Sequence, residues 1–243
     1  MACTEGYSEL MRRLGLLGGM SWESSIEYET IINREVQKRV GGVASADLVI
    51  RSLNFAEIAQ LQAEGDWSAA AALLSEEARV LEQAGAEAVV LCTNTMHKVA
   101  EDIADAVSIP FLHIADALLR ELHRGGATTT LLLGTRFTME QSFYSEKLTA
   151  QGMSVEVPGE EDRDELHRII YEELVRGVVS QESHQWLVGM VRKHLDGSVD
   201  AVISGCTEIE LLLTEEDVSV PFYPTTRIHA LAAVDWSVGS DPA

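Results

Sequence analysis

The chain has 243 residues, enough for one large domain or for two lobes with separate cores, and its apolar content of 46% is ordinary for a globular protein. Its 39 acidic and 18 basic residues give a formal charge of −21, which repels nucleic-acid backbones and anionic lipid, so neither nucleic acid nor a membrane is an expected partner. No run approaches the roughly 20 apolar residues that span a bilayer.

Residues 1–13 include acids and no apolar stretch of signal-peptide length, so no secretion signal is read there. Leu14 to Leu17 reads as a strand. Gly18-Gly19-Met20-Ser21 follows as a loop and leads into a helix from about Trp22. Such a strand–loop–helix turn can hold an anion on backbone N–H groups. In so acidic a protein an anion site has to be built locally in this way, although the charge by itself also reads simply as solubility. The loop lacks the three spaced glycines of a dinucleotide site, and no phosphate-binding Lys–Ser/Thr loop is present.

Trp67 to Ala84 is rich in Ala, Leu and Glu and stops at Gly85, a helix with its terminator. Next comes Glu87-Ala88-Val89-Val90-Leu91-Cys92-Thr93-Asn94, a buried-strand pattern ending in a small polar cluster. It can be laid without a gap on Asp200-Ala201-Val202-Ile203-Ser204-Gly205-Cys206-Thr207. Two further pairs recur in the same order, Leu14–Ser21 with Leu131–Thr138 and Ser108–Phe111 with Ser219–Phe222. Between them, Asp164 to Arg176 carries apolar residues at helical spacing and ends at Gly177.

Alternating strands and helices in two matching sets predict an α/β fold of two pseudo-symmetric lobes with parallel sheets and, if the lobes face each other, an active-site cleft between them. The expected division is 12–119 with a C-terminal return over 222–240 for the first lobe, and 120–221 for the second. Ligands in such sheets bind beyond the carboxyl ends of the strands. The two polar clusters stand there.

Cys206 follows Ser204-Gly205, and a helix starting behind it would favour the thiolate through its dipole, giving a base near neutral pH. An inert buried cysteine is the alternative. The repeat sets Thr93 opposite Cys206 and Cys92 opposite Gly205. Successive strand residues face opposite ways, so Thr93 is expected in the cleft and Cys92 in the core. His97 reads either as a supporting group behind Thr93 or as a satisfied helix histidine. Cys3, Cys92 and Cys206 make no disulfide framework, and a reduced cytoplasmic setting is expected. No spacing of His, Cys and acids suits zinc, so no metal and no cofactor is implied.

Leu16–Ser24, Cys92–His97, Leu133–Met139, Gly205–Ile209 and Thr225–Ala230 together resemble the aspartate/glutamate racemase family, from about Arg13 to Trp236. The resemblance implies two α/β lobes and a cofactor-free reaction in which one residue removes the α-proton and another returns one on the opposite face. In most members both are cysteines. Here the first position is Thr93 and the second Cys206, which resembles bacterial aspartate/glutamate racemases with a Thr/Cys pair that act best on L-substrates. A hydroxyl is a poor base and a thiolate a good one, so faster turnover of the L form is expected. The resemblance also puts Met20 and Ser21 at the substrate carboxylate. Gln62, Asn94, Thr95 and Thr207 fall among the substrate contacts, with Glu208 assisting Cys206. Arg176 stands where many members have a contacting lysine, but it reads rather as the cation that closes a helix. The implied partner is an acidic amino acid. Homodimers are common in the family, though no feature of this sequence establishes one. A hydantoin racemase, a maleate isomerase or a ligand-binding descendant is the competing reading.

Overall fold

The computed structural model describes residues 11–195 and 197–239; residues 1–10, with Cys3, and residue 240 of the expected return segment lie outside them. The chain divides into two compact units, 11–113 with 229–239, and 114–228. No helix of the described residues is long and apolar enough to cross a membrane.

In the first unit, β1 (Leu14–Gly18), β2 (Leu48–Ser52), β3 (Ala88–Leu91) and β4 (Phe111–Leu112) form a parallel sheet in the order β2-β1-β3-β4. Every residue of β1 and β3 is buried, as their unbroken apolar runs require of central parallel strands. Helices cover both faces. On one, Leu17, Val89 and Leu91 pack on Ala70, Leu74, Ala78 and Leu81 of α3 (Trp67–Gln83). On the other, Leu14, Leu16, Ala88 and Val90 pack on α1 (Trp22–Val40) and on Ala230, Ala233 and Val234. Each of the fully buried leucines contributes about 1.5–3 kcal/mol. Ser21 caps α1, and Asp66 caps α3 by accepting from Ala69 N at 2.9 Å. The chain end returns to this sheet, where Arg12 N donates to Ser237 O (2.9 Å) and Ser237 Oγ donates to Arg12 O (2.6 Å). Helices α2 (Phe55–Glu64) and α4 (Ala100–Asp105) complete the unit.

The second unit repeats the plan. The strands β5 (Thr129–Gly134), β6 (Ser154–Glu156), β7 (Ala201–Gly205) and β8 (Phe222–Pro224) are parallel in the order β6-β5-β7-β8. Leu131, Leu133 and Val202 pack toward α8 (Glu160–Arg168) and α9 (Gln181–Leu195), with α6 (Arg136–Glu140) adding Met139. Leu132, Ala201 and Ile203 pack toward α5 (Ile114–Gly125) and α7 (Ser142–Thr149).

The acid before each repeated strand has a job. Glu87 accepts from Arg13 N (2.6 Å), and Asp200 accepts from Thr128 N and Thr129 N (3.1 Å). Each satisfies a backbone donor where the neighbouring strand begins. Val89 N donates to Pro110 O (2.8 Å) as Val202 N does to Pro221 O (3.0 Å). Positions 89 and 202 are therefore equivalent, and so by strand count are Thr93 and Cys206.

Three sequence expectations need correction. The first unit gives way to the second at 113/114 and resumes at 228/229, within α10 (Thr225–Ser237), not at 120 and 222. The whole of α5 packs on the second sheet, and β8 pairs with β7. Leu14 lies opposite Ala88 while Thr130 lies opposite Ala201, so β1 matches β5 one residue earlier than the leucines suggest. Finally, 164–176 is not one regular helix. The α-helix ends at Arg168, widens into a π turn over Ile169–Glu173, and tightens over Leu174–Arg176 before Gly177 (φ 74°).

Candidate active site

Strand order fixes where a ligand can sit in each sheet. The order in which parallel strands are laid down reverses between β1 and β3 in one unit and between β5 and β7 in the other, and the crevice beyond the carboxyl ends at such a switch point is the usual binding place.

In the first unit the Gly18–Ser21 loop follows β1. Gly19 has φ 87°, and a Cβ there would collide with the backbone N and O of Leu53. Ser25 Oγ accepts from Gly19 N (2.7 Å) and donates to Ser21 O (3.1 Å), so the loop is tied down from inside. Met20 and Ser21 are buried. The Thr93–His97 segment follows β3. Asn94 and Thr95 are buried, and Thr93 is partly exposed. Gln62, from α2, is buried and donates from Nε2 to the Met96 sulfur at 3.0 Å, and Met20 and Met96 share one core cluster. Gln62 and Met20 are thereby brought together around Met96.

Cys92 belongs to the core. It is fully buried with Leu14, Tyr28 and Val90, its Sγ lies 3.6 Å from Val90 O, and burial pushes its thiol well up. Gly205, its counterpart, sits where a Cβ would press on Leu133 O at 2.8 Å.

In the second unit Cys206 is buried, with Sγ donating to Glu208 Oε2 at 3.0 Å. Burial first, and then the Glu208 carboxylate, hold this thiol well above the ordinary range. The expected dipole-lowered thiolate is thus overturned. Only a single 3₁₀ turn, Thr207–Leu211, follows Cys206, and so short a segment has little dipole to set against a carboxylate in contact. Thr207 is tied to Thr226 (Oγ1–Oγ1 3.3 Å), and Thr225 Oγ1 donates to Ser204 O (2.7 Å). The Thr225-Thr226 pair thus props the end of β7. Arg176 is exposed, the last residue before the left-handed Gly177, as a helix-closing cation would be, although its turn packs beside Thr207–Leu211.

Tyr171 and His113 escaped the sequence reading. Tyr171 lies on the π turn close enough to Cys206 and Glu208 for both to push its phenol up, after burial itself. A π turn inserted in a helix is a recurrent mark of functional sites, but apolar periodicity does not reveal it. His97 joins its Nδ1 to Thr93 O at 2.7 Å and meets His113 (4.6 Å) and His229 (5.8 Å between centroids) edge-on. His229 bridges Tyr28 Oη (2.9 Å) and Leu112 O (2.7 Å). Among the described residues no group of His, Cys, Asp and Glu is arranged to hold a metal ion.

Known proteins place the chain. Residues 17–233 match the family model described as Asp/Glu/hydantoin racemase. The chain superposes on the crystal structure of a proposed Asp/Glu racemase from Yersinia pestis with a TM-score of 0.88 and 50% identity, covering 93% of this chain and 99% of that one. An aspartate racemase homologue from Pyrococcus horikoshii OT3 gives 0.80 and 33%, with 93% and 99% covered. The broad specificity amino-acid racemase RacX of Bacillus subtilis is 25% identical over 161 residues, 63% of this chain and 66% of that protein. From its two repeated sheets and the motifs at their strand ends, this chain belongs to the Asp/Glu/hydantoin racemase family.

Proposed function

We propose that this chain is a cofactor-independent racemase of acidic amino acids, aspartate or glutamate, that moves the α-proton between two faces of the substrate through Cys206 and Thr93. The observation that carries the proposal is the unlike pair of residues at equivalent strand ends, one of them a thiol in contact with a carboxylate at 3.0 Å.

The reaction on an L-substrate runs as follows. Glu208 accepts the Cys206 proton, leaving a thiolate, and the thiolate removes the α-proton. The carbanion that forms is stabilised at the α-carboxylate by hydrogen-bond donors, for which the loop at Met20-Ser21 and the side chains of Asn94, Thr95 and Thr207 are the candidates, with Gln62 and Arg176 as further substrate contacts. Thr93 donates its hydroxyl proton to the opposite face, yielding the D-product, and after product release the proton held by Glu208 is lost to water while the Thr93 oxygen takes one from water, restoring both groups. The reverse direction needs the Thr93 oxygen as a base, a much poorer one than a thiolate. Enantiomers are equal in free energy in water, so kcat/KM is the same in both directions. The preference for L-substrates appears as kcat and KM both larger for that form.

The test is chiral chromatography of separate incubations with L- and D-aspartate, L- and D-glutamate, and a 5-substituted hydantoin. The proposal expects the opposite enantiomer from an acidic amino acid, with the larger kcat from L. Turnover of the hydantoin alone would assign a different substrate, and binding without turnover would assign a ligand-binding role.

A further inference from the structure

Away from the strand ends the first unit carries a groove between α3 and the segment 95–105, with a volume of about 680 Å³. Trp67, Ala71, Ser75 and Arg79, four residues apart on one face of α3, form one wall, and Lys98 and Asp102 stand in the other. Ser75 Oγ donates to Asp102 O at 3.1 Å and ties the walls together. Buried Ala71 and Val99 give the groove an apolar floor.

The Lys98 ammonium lies over the Trp67 ring, 3.9 Å from its centroid. That contact holds the cation in place without neutralising it. Lys38 and Lys147 pair with Glu35 and Asp116, whereas Lys98 makes no ion pair among the described residues, in a chain with 39 acids. Partial burial lowers its pKa, and no carboxylate acts to raise it. Arg79 adds a second positive group, paired with Glu76 at 3.0 Å. An aromatic-braced cation beside an apolar floor is the chemistry of an oxyanion receptor.

We propose that this groove binds a small molecule carrying one carboxylate or phosphate on a compact apolar body. The oxyanion pairs with Lys98, and the body covers Ala71 and Val99. The exposed Asp102 carboxylate at the rim disfavours polyanions. Thr93 does not line the groove, and the groove's occupancy does not depend on the racemase reading.

Phenyl phosphate and benzoate are the probes, titrated against the intact chain by calorimetry and by tryptophan fluorescence, with inorganic phosphate and phenol as controls. Saturable binding of at least one probe is expected, about ten-fold tighter than either control, with a fluorescence change that disappears in Trp67→Phe. Lys98→Met, which keeps the stem on the indole, should weaken binding about ten-fold, and Lys98→Arg should retain it. Preference for phenyl phosphate or for benzoate then tells which oxyanion the groove takes. No saturable binding of either probe, or the same affinity in a folded Lys98→Met variant, would overturn the proposal. If Lys98→Met does not fold, a fluorescence change that persists in Trp67→Phe overturns it instead.

Discussion

Replacing Glu208 with Gln removes a negative charge from contact with Cys206 while preserving shape. In the wild type Sγ stands 3.0 Å from Oε2, and the carboxylate joins burial in holding the thiol up. Two unit charges about 4 Å apart at an effective dielectric of about 20 repel by about 4 kcal/mol, roughly a thousandfold in thiolate population. Relaxation and entering water reduce this, so Glu208→Gln should alkylate with iodoacetamide at least about ten-fold faster at a fixed pH between 7 and 9, read by mass spectrometry at Cys206. Turnover should respond differently. With Glu208 present the proton passes inside the pair, so kcat on an L-substrate is flat as pH rises toward the titration of the thiol. Without it the thiol must lose its proton to water, and kcat should climb about ten-fold per pH unit until the thiol titrates. An unchanged alkylation rate together with a flat profile would refute the assignment of Glu208 as the proton acceptor.

Thr93→Cys restores a good base on the second face and should raise kcat on the D-substrate by about 10²–10⁴, measured by polarimetry. Cys92→Ala should cost about 1 kcal/mol in denaturant unfolding, because its sulfur fills core space, while leaving kcat within about two-fold; a collapse of activity in a folded variant would move the base to Cys92. Gly19→Ala puts a side chain against the Leu53 backbone at φ 87° and should destabilise the fold by more than about 2 kcal/mol in thermal melts.

Much of this architecture was written in local pattern. The acid, apolar run and polar cluster of 87–94 and 200–207 specify both a buried strand and its equivalence, because Glu87 and Asp200 each satisfy neighbouring backbone donors. Gly85 (φ 89°) is a legible stop for α3, whose start is capped by Asp66 just before Trp67. The leucine runs at 14–17 and 131–133 carry no phase, so their one-residue slip becomes visible only through cross-strand pairing. α5 is amphipathic, but amphipathicity does not say which sheet it covers, and the lobe boundary moved accordingly.

The site divides in the same way. Motif puts Met20, Gln62, Asn94 and Thr95 forward as substrate contacts; in the first unit all four are buried, with Gln62 bonded to Met96 and Met20 in the same core cluster as Met96. The state of the Cys206 thiol was not, because a dipole argument assumes a helix where the chain makes one tight turn and overlooks the carboxylate two residues on. Tyr171 depends on one extra residue in a helical turn, and the histidine group at 97, 113 and 229 is assembled from distant parts of the sequence.

The most direct measurement is α-proton exchange in D2O, followed by NMR for L- and D-aspartate and L- and D-glutamate separately, in wild type and in Cys206→Ala. The account predicts exchange mainly with the L-substrates and its loss in the variant. Exchange that survives in Cys206→Ala, or none with any of the four amino acids, would contradict it.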